Sequence, residues 1–357
     1  MTKIMWVGGS TAAGAAGGES VVDRRLLAEL RNYDITIQAF NPPPVGGLRK
    51  SLNLLSGKPL YRATFYSSKL VQLFQREIER TRPDIVLISW EPFDFLAEHT
   101  KLPKILLAHN VTSDSLLQIF PSSRVSQCFA HLHRKWESRI YGRDDILAVL
   151  CLSERDETLI KEISPHSATR TILPGSPQSL EATDGVVIRE VLVSGTYEWY
   201  PKRRDLKRFL EELRALGGSS IPLLWDHPPP LELKHLVAPI LDVPVASRTN
   251  AGIRVGLVPD RFTAGFKLKV SHYIASNCVV ASYCDVSHDF LSIKDHEIFI
   301  RRIYSANQIL EIFSDLEAMD HNELGSRFKD FQDACAEKFQ WRRGAEVITD
   351  IVNCLRI

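Results

Sequence analysis

The stretch PDRFTAGFKLKVSHYIASNCVVAS, Pro259–Ser282, decides how the rest of the chain is read. It predicts a loop, then an amphipathic helix, then a buried strand over Cys278 to Ala281. Gly265 lets backbone approach closely in the loop, and Lys267 and Lys269 open the helix. A glycine loop that runs into a helix N-terminus is suited to an anion, because unpaired N–H groups and the positive end of the dipole converge there. Two lysines in a first turn repel each other and oppose the dipole, so an anion is expected to offset them. A solvated helix start is the plainer reading of the same residues.

Composition narrows the field. The chain has 357 residues, is 44% hydrophobic and carries a net charge of +1, which suits two globular domains and gives no global pull toward nucleic acid. Its apolar runs, such as Ile85 to Trp90 and Ile105 to Ala108, have strand length and are too short to span a bilayer. No signal peptide is expected at the N-terminus. The six cysteines show no C-x-x-C spacing, which suits free thiols in a reducing cytoplasm and argues against structural zinc.

Lys3 to Val7 predicts a strand, Gly8 to Gly18 a glycine–alanine loop, and Glu19 to Leu30 a helix with Val22, Leu26, Leu27 and Leu30 on one face. Asp34 to Phe40 predicts a second strand. Strand, glycine loop, helix and strand open a Rossmann-like unit. The loop lacks the G-x-G-x-x-G spacing and no acid ends the second strand, so a nicotinamide cofactor is not expected. From Val45 to Arg82, bases outnumber acids and alternate with leucines and aromatics. Residues 46–66 are a candidate for peripheral contact with anionic lipid headgroups, and the alternative is a loop packed on the sheet.

Pro83 to Glu91 and Lys104 to Val111 predict strands buried on both faces, as in a parallel sheet. They end in Glu91 and in His109-Asn110, and open α/β sheets place ligands at strand C-termini. Ile146 to Ser153 predicts a further strand, followed by a helix over Glu154–Ile163. Gly175 to Gly185 has linker composition. A second α/β half opens with a strand over Arg189 to Gly195 and a helix to Leu216. Strands at Pro222–Trp225 and Arg254–Pro259 follow. Helices at Ala306–Leu316, Glu323–Lys338 and Trp341–Leu355 complete it.

Seven pieces, in order, resemble the GT-B glycosyltransferases that move sugars from nucleotide donors onto bacterial glycans and lipids. They are Gly17-Gly-Glu-Ser-Val-Val, His109-Asn110, Val149 to Glu154, Leu173-Pro-Gly175, Val193 to Lys202, Gly265-Phe-Lys-Leu-Lys with Val279-Val-Ala281, and Phe339-Gln-Trp341. The resemblance implies an α/β fold of two Rossmann-like domains facing across a cleft. It places an acceptor domain over 1–178, a donor domain over 186–338, and a C-terminal helix over 339–357 that packs back on the first domain. Its co-substrate is a UDP- or GDP-sugar with no cofactor and no metal, and its acceptor a glycan, a lipid-linked sugar or a small molecule. The implied location is cytoplasmic, or peripheral at the inner face of the membrane.

By the same resemblance, Gly195, Thr196, Lys202, Gly265, Phe266, Lys267 and His272 bind the donor, and Gly17, Gly18 and Glu19 the acceptor. Family members usually carry a Glu where this chain has His272, and often another where it has Ala264. Lys267 is expected to neutralise the leaving pyrophosphate, with Lys202 as its counterpart and Lys269 turned to the linker or solvent. An inverting enzyme needs a base, for which His109, Glu91, Asp94 and Asp114 are candidates. In a retaining one the leaving phosphate takes the proton and His109 binds a donor hydroxyl or phosphate. Other readings are a nucleotide-sugar 2-epimerase on the same fold and a non-catalytic glycosyltransferase-like binder.

Overall fold

The computed structural model describes residues 1–8, 18–42, 53, 60–177, 184–216, 221–237, 243–244 and 252–356. Gly17, most of the glycine–alanine loop and most of 46–59 lie outside the described residues. The chain divides into two compact units. The first comprises Met1–Pro174, Ala264–Phe266 and Gln340–Ile357; the second comprises Gly175–Thr263 and Lys267–Phe339.

The first unit is a parallel sheet of six strands: β1 (Thr2–Val7), β2 (Ile35–Phe40), β3 (Ile85–Ser89), β4 (Lys104–Ala108), β5 (Ile146–Cys151) and β6 (Thr169–Thr171). Their spatial order is β2-β1-β3-β4-β5-β6. β3 and β4 are buried at every position, which explains why both read as unbroken apolar runs rather than alternating ones. Lys104 sits in β4 and is still buried, because its Nζ donates to Leu102 O at 2.7 Å and pairs with Asp145 at 2.6 Å. Strand order reverses between β1 and β3, and the crevice beyond the carboxyl ends of such neighbours is where open α/β sheets bind ligands. The helix Gly18–Leu30 buries Val22, Leu26 and Leu30, and the last helix, Trp341–Asn353, lies against it.

Part of the basic stretch is visible, and Arg62 and Phe65 within it are held by partners in the first unit. Arg62 is 3% exposed and forms a two-pronged ion pair with Asp94, while its guanidinium stands 4.3 Å from the Trp136 ring centroid. Phe65 packs edge-on against Phe93 at 4.8 Å. These side chains face core, because buried carboxylate and aromatic partners hold them there. No described helix is long and apolar enough to cross a membrane. Ser67 caps the following helix, Ser68–Thr81, accepting from Leu70 N at 3.0 Å. Ser67→Ala should lower unfolding free energy by about 1 kcal/mol in denaturant titration, and an unchanged midpoint would refute the cap.

The second unit is also a parallel sheet of six strands: β7 (Val187–Val193), β8 (Leu223–Trp225), β9 (Val243–Pro244), β10 (Ile253–Val258), β11 (Cys278–Ser282) and β12 (Ile300–Arg302). Their order, β12-β11-β10-β7-β8-β9, is the doubly wound order of dinucleotide-binding folds, with the reversal between β7 and β10. The helix Leu268–Ala275 joins β10 to β11 as a crossover, packing on both. Two doubly wound parallel sheets are the α/β architecture that the sequence predicts.

Candidate functional site

In the second unit the carboxyl ends of β7 and β10 converge on the switch point. Beyond β7 come Ser194 and Gly195, whose φ of +110° suits glycine, then exposed Thr196. Beyond β10 come Pro259 and Asp260. Asp260 is fully buried, and its oxygens take no hydrogen bond of full geometry. Two ammonium groups compensate its charge, Lys267 Nζ at 3.3 Å and Lys269 Nζ at 3.6 Å. Burial works to raise the Asp260 carboxyl, but Lys269, Lys267 and Lys202 outweigh it and hold the group well below the usual carboxylate range.

The lysines are fixed on their other sides by aromatic faces. Lys267 Nζ lies 4.4 Å from the Phe262 ring centroid, and Lys269 Nζ 4.8 Å from that of Tyr197. The helix begins at Leu268 with Lys267 in the cap position, one residue later than the sequence suggests. Lys269 therefore does not face solvent or the linker: it is 13% exposed, against 8% for Lys267, because both side chains turn to the same carboxylate. The anion expected to offset the lysine pair is thus a side chain of their own loop. Lys202 is half-buried in the first turn of the helix Tyr200–Ala215.

His272 stands on the helix Leu268–Ala275 with Nε2 3.5 Å from Asp226, the residue that follows β8. Asp226 also accepts from the Ser194 hydroxyl and from Gly195 N at 3.3 Å. Burial tends to raise its pKa, and hydrogen bonds from His272, Ser194 and Gly195 bring it below the ordinary value. A carboxylate thus stands beside the imidazole where the resembled family has a single Glu.

In the first unit the switch point gathers a different set. Ser89, the last residue of β3, donates to Asp23 Oδ1 on the helix Gly18–Leu30 and lies 2.9 Å from His109 Nε2, just past β4. Asp23 is 1% exposed; burial pushes its carboxyl up to about 6, against the opposing pull of Ser89 and Trp6. Burial brings the His109 imidazole down to about 3, so it is neutral near pH 7. Gly265 groups with this unit. It has φ +59°, and a Cβ there would stand 2.1 Å from the His109 carbonyl oxygen, so glycine is required on both counts. Phe266 is buried beside it, Gly18 is exposed and Glu19 is half-buried.

Glu91 is buried, and its Oε1 accepts from Asn110 N at 2.5 Å. Burial pushes it up to about 8, so it holds a proton at neutrality. A carboxyl with a raised folded-state pKa stabilises most below its unfolded value, and that contribution is lost as pH rises toward the folded one. Glu91→Gln keeps an acceptor for Asn110 but cannot titrate. Between pH 6 and 7 it should lack about 1 kcal/mol of the stability decline of the wild type, measured by urea unfolding; an equal decline in both would exclude Glu91 as its source. Asp114 pairs with Arg155 at 2.6 Å, and Asp94 is engaged by Arg62 and by Trp136 Nε1 at 3.2 Å.

Sequence reasoning singled out neither Asp23, Ser89, Asp226 nor Asp260. Only Asp23 left a sign, as an acid on the buried stripe of Val22, Leu26 and Leu30. Among the described residues no group of His, Cys, Asp and Glu is arranged to hold a metal ion.

The arrangement belongs to a fold with known representatives. No family model matches the chain, and no curated protein matches it. Among solved structures it is similar to sucrose-phosphate synthase from Thermosynechococcus elongatus, at 14% identity and a TM-score of 0.69 over 99% of each chain. It is also similar to HepE of Anabaena, solved in complex with UDP and glucose, at 11% identity and a TM-score of 0.61 over 99% of this chain and 100% of that one. A third is the lipopolysaccharide outer core galactosyltransferase WaaB, at 14% identity and a TM-score of 0.55 over 98% of this chain and 100% of that one. At such identities the likeness is one of fold, and the fold is GT-B.

Proposed function

We propose that the chain is a glycosyltransferase that moves a sugar from a UDP- or GDP-sugar to a hydroxyl of a glycan, lipid-linked or small-molecule acceptor without a bound metal. The observation that carries this reading is the lysine pair held over Asp260 at the switch point between β7 and β10. A departing nucleoside diphosphate develops negative charge, and fixed ammonium groups beside a helix N-terminus stabilise it without reorganising. Lys267 is the main charge, with Lys269 and Lys202 in support. His272 and Asp226, 3.5 Å apart, offer a donor and an acceptor to a ribose or sugar hydroxyl. That HepE, of the same fold, is in complex with UDP and glucose supports a nucleotide-sugar donor.

His109 binds a hydroxyl in this reading. Glu91, protonated near neutrality, and Asp114, paired with Arg155, position the neighbouring loops rather than act as free bases. Gly17, Gly18 and Glu19 meet the acceptor, and the protein works in the cytoplasm or at the inner face of its membrane. A melting-temperature screen of nucleotide sugars tests the proposal. UDP- or GDP-sugars should stabilise by about 2.7 kcal/mol at a hundredfold excess over Kd, with or without Mg²⁺. No shift with any nucleotide sugar would overturn it, and a strict Mg²⁺ requirement for turnover would overturn its metal independence.

A further inference from the structure

Ser89 has one hydroxyl proton and two neighbours that compete for it. With Asp23 ionised, the carboxylate Oδ1 can only accept, so the Ser89 proton goes to it. The contact of 2.9 Å between Ser89 Oγ and His109 Nε2 then lacks a proton from the serine, and the imidazole must supply one. A neutral imidazole has a single N–H, so placing it on Nε2 leaves Nδ1 with its lone pair. Nδ1 has no partner among the described residues.

The carboxylate cannot turn away from this duty. Its second oxygen, Oδ2, lies on the side of Trp6 Nε1, which helps to lower its pKa while falling short of a full hydrogen bond. A Cβ on Gly8 would stand 2.4 Å from Oδ2 and 3.1 Å from the indole nitrogen, so the backbone also closes over that side. Asp23 is 1% exposed and Ser89 is fully buried, so the serine proton passes between protein groups rather than to solvent.

We propose that Asp23 and Ser89 form a buried relay that holds His109 in its Nε2–H tautomer, so that Nδ1 is presented as an acceptor to a hydroxyl of the bound sugar. Asp23 and Ser89 are positioning residues that act through His109. The clause about the sugar rests on the glycosyltransferase reading, whereas the tautomer follows from the local geometry alone.

Asp23→Asn makes the logic testable, because the two ends of the amide meet different neighbours. Indole N–H is a donor only and repels an NH₂ on its side, which turns the Asn oxygen toward Trp6 and its NH₂ toward Ser89. Ser89 then donates to His109 Nε2, and the imidazole proton moves to Nδ1. Long-range ¹H–¹⁵N correlation on the full chain with ¹⁵N-histidine, at pH 8 where Asp23 is ionised, reads the tautomer directly. His109→Gln assigns the signals.

The wild type should show Nε2–H and D23N should show Nδ1–H, while S89A should give a mixture of both. Nδ1–H in the wild type, or Nε2–H unchanged in both D23N and S89A, would overturn the relay. Should D23N fail to fold, the S89A spectrum decides alone. In turnover assays D23N should lose about tenfold or more, the value of one hydrogen bond to substrate, with the UDP-induced melting shift unchanged. Failure of every nucleotide sugar to react removes the sugar clause and leaves the tautomer to be judged by its spectrum.

Discussion

Lys267→Ala should lower nucleoside diphosphate release from the sugar donor by about 10²- to 10³-fold, or about 3–4 kcal/mol of transition-state stabilisation. The size follows from how the ammonium is held. Asp260 lies 3.3 Å away on one side and the Phe262 ring 4.4 Å away on another, and Phe262 is itself braced edge-on by Trp199 at 5.4 Å. A lysine so fixed does not have to be ordered when charge develops on the leaving group. Folding should change much less, because Lys269 still compensates Asp260 from 3.6 Å. Lys267→Arg should recover only part of the rate, since a larger guanidinium does not place its charge where the compact ammonium sits between Asp260 and the Phe262 ring. The measurement is release of UDP or GDP beside a melting curve of each variant. Wild-type turnover in Lys267→Ala would sink the assignment.

The sequence carries the fold in plain form. Parallel strands covered on both faces need apolar residues at every position, so β3, β4 and β11 stand out as short unbroken runs between helical patterns. Gly195 and Lys267 are also legible, because a tight turn after the first strand and cations at a crossover helix mark the same end of a Rossmann-like sheet. What the sequence does not carry is which polar groups meet in the interior. Asp260 follows a proline and reads as loop, yet it is wholly buried, and only three-dimensional placement shows Lys202, Lys267 and Lys269 acting on it. Lys269 reads from the sequence as facing outward for the same reason, since nothing local marks a buried acid one strand-end away. Asp23 is legible as an anomaly on an apolar stripe, but its meaning depends on Ser89 and His109, which stand at the carboxyl ends of two strands. His109 is neutral because it is buried, and burial at a strand end is not written in its neighbours.

Asp260→Asn should act in the direction opposite to Lys267→Ala on ligand binding, and should be the more damaging of the two to the unliganded fold. The substitution keeps the shape and removes the charge, leaving two ammonium groups, 8% and 13% exposed, with no buried anion between them. Breaking a buried ion cluster from one side costs about 3–5 kcal/mol, because the remaining charges keep their desolvation penalty and lose the attraction that offset it. The free protein should therefore melt well below the wild type. A phosphate ligand then becomes the missing anion. It no longer shares the lysines with a carboxylate, and it no longer meets the repulsion of a like charge held against the same ammonium groups. UDP affinity should rise on the order of tenfold, so added UDP should recover more stability in Asp260→Asn than it adds to the wild type. Titrating UDP into each protein while following the melting temperature measures both effects in one experiment. If Asp260→Asn is as stable as the wild type, the carboxylate does not hold the lysines. If it is less stable but gains no more from UDP, the lysines it holds are not the ones that meet the phosphates.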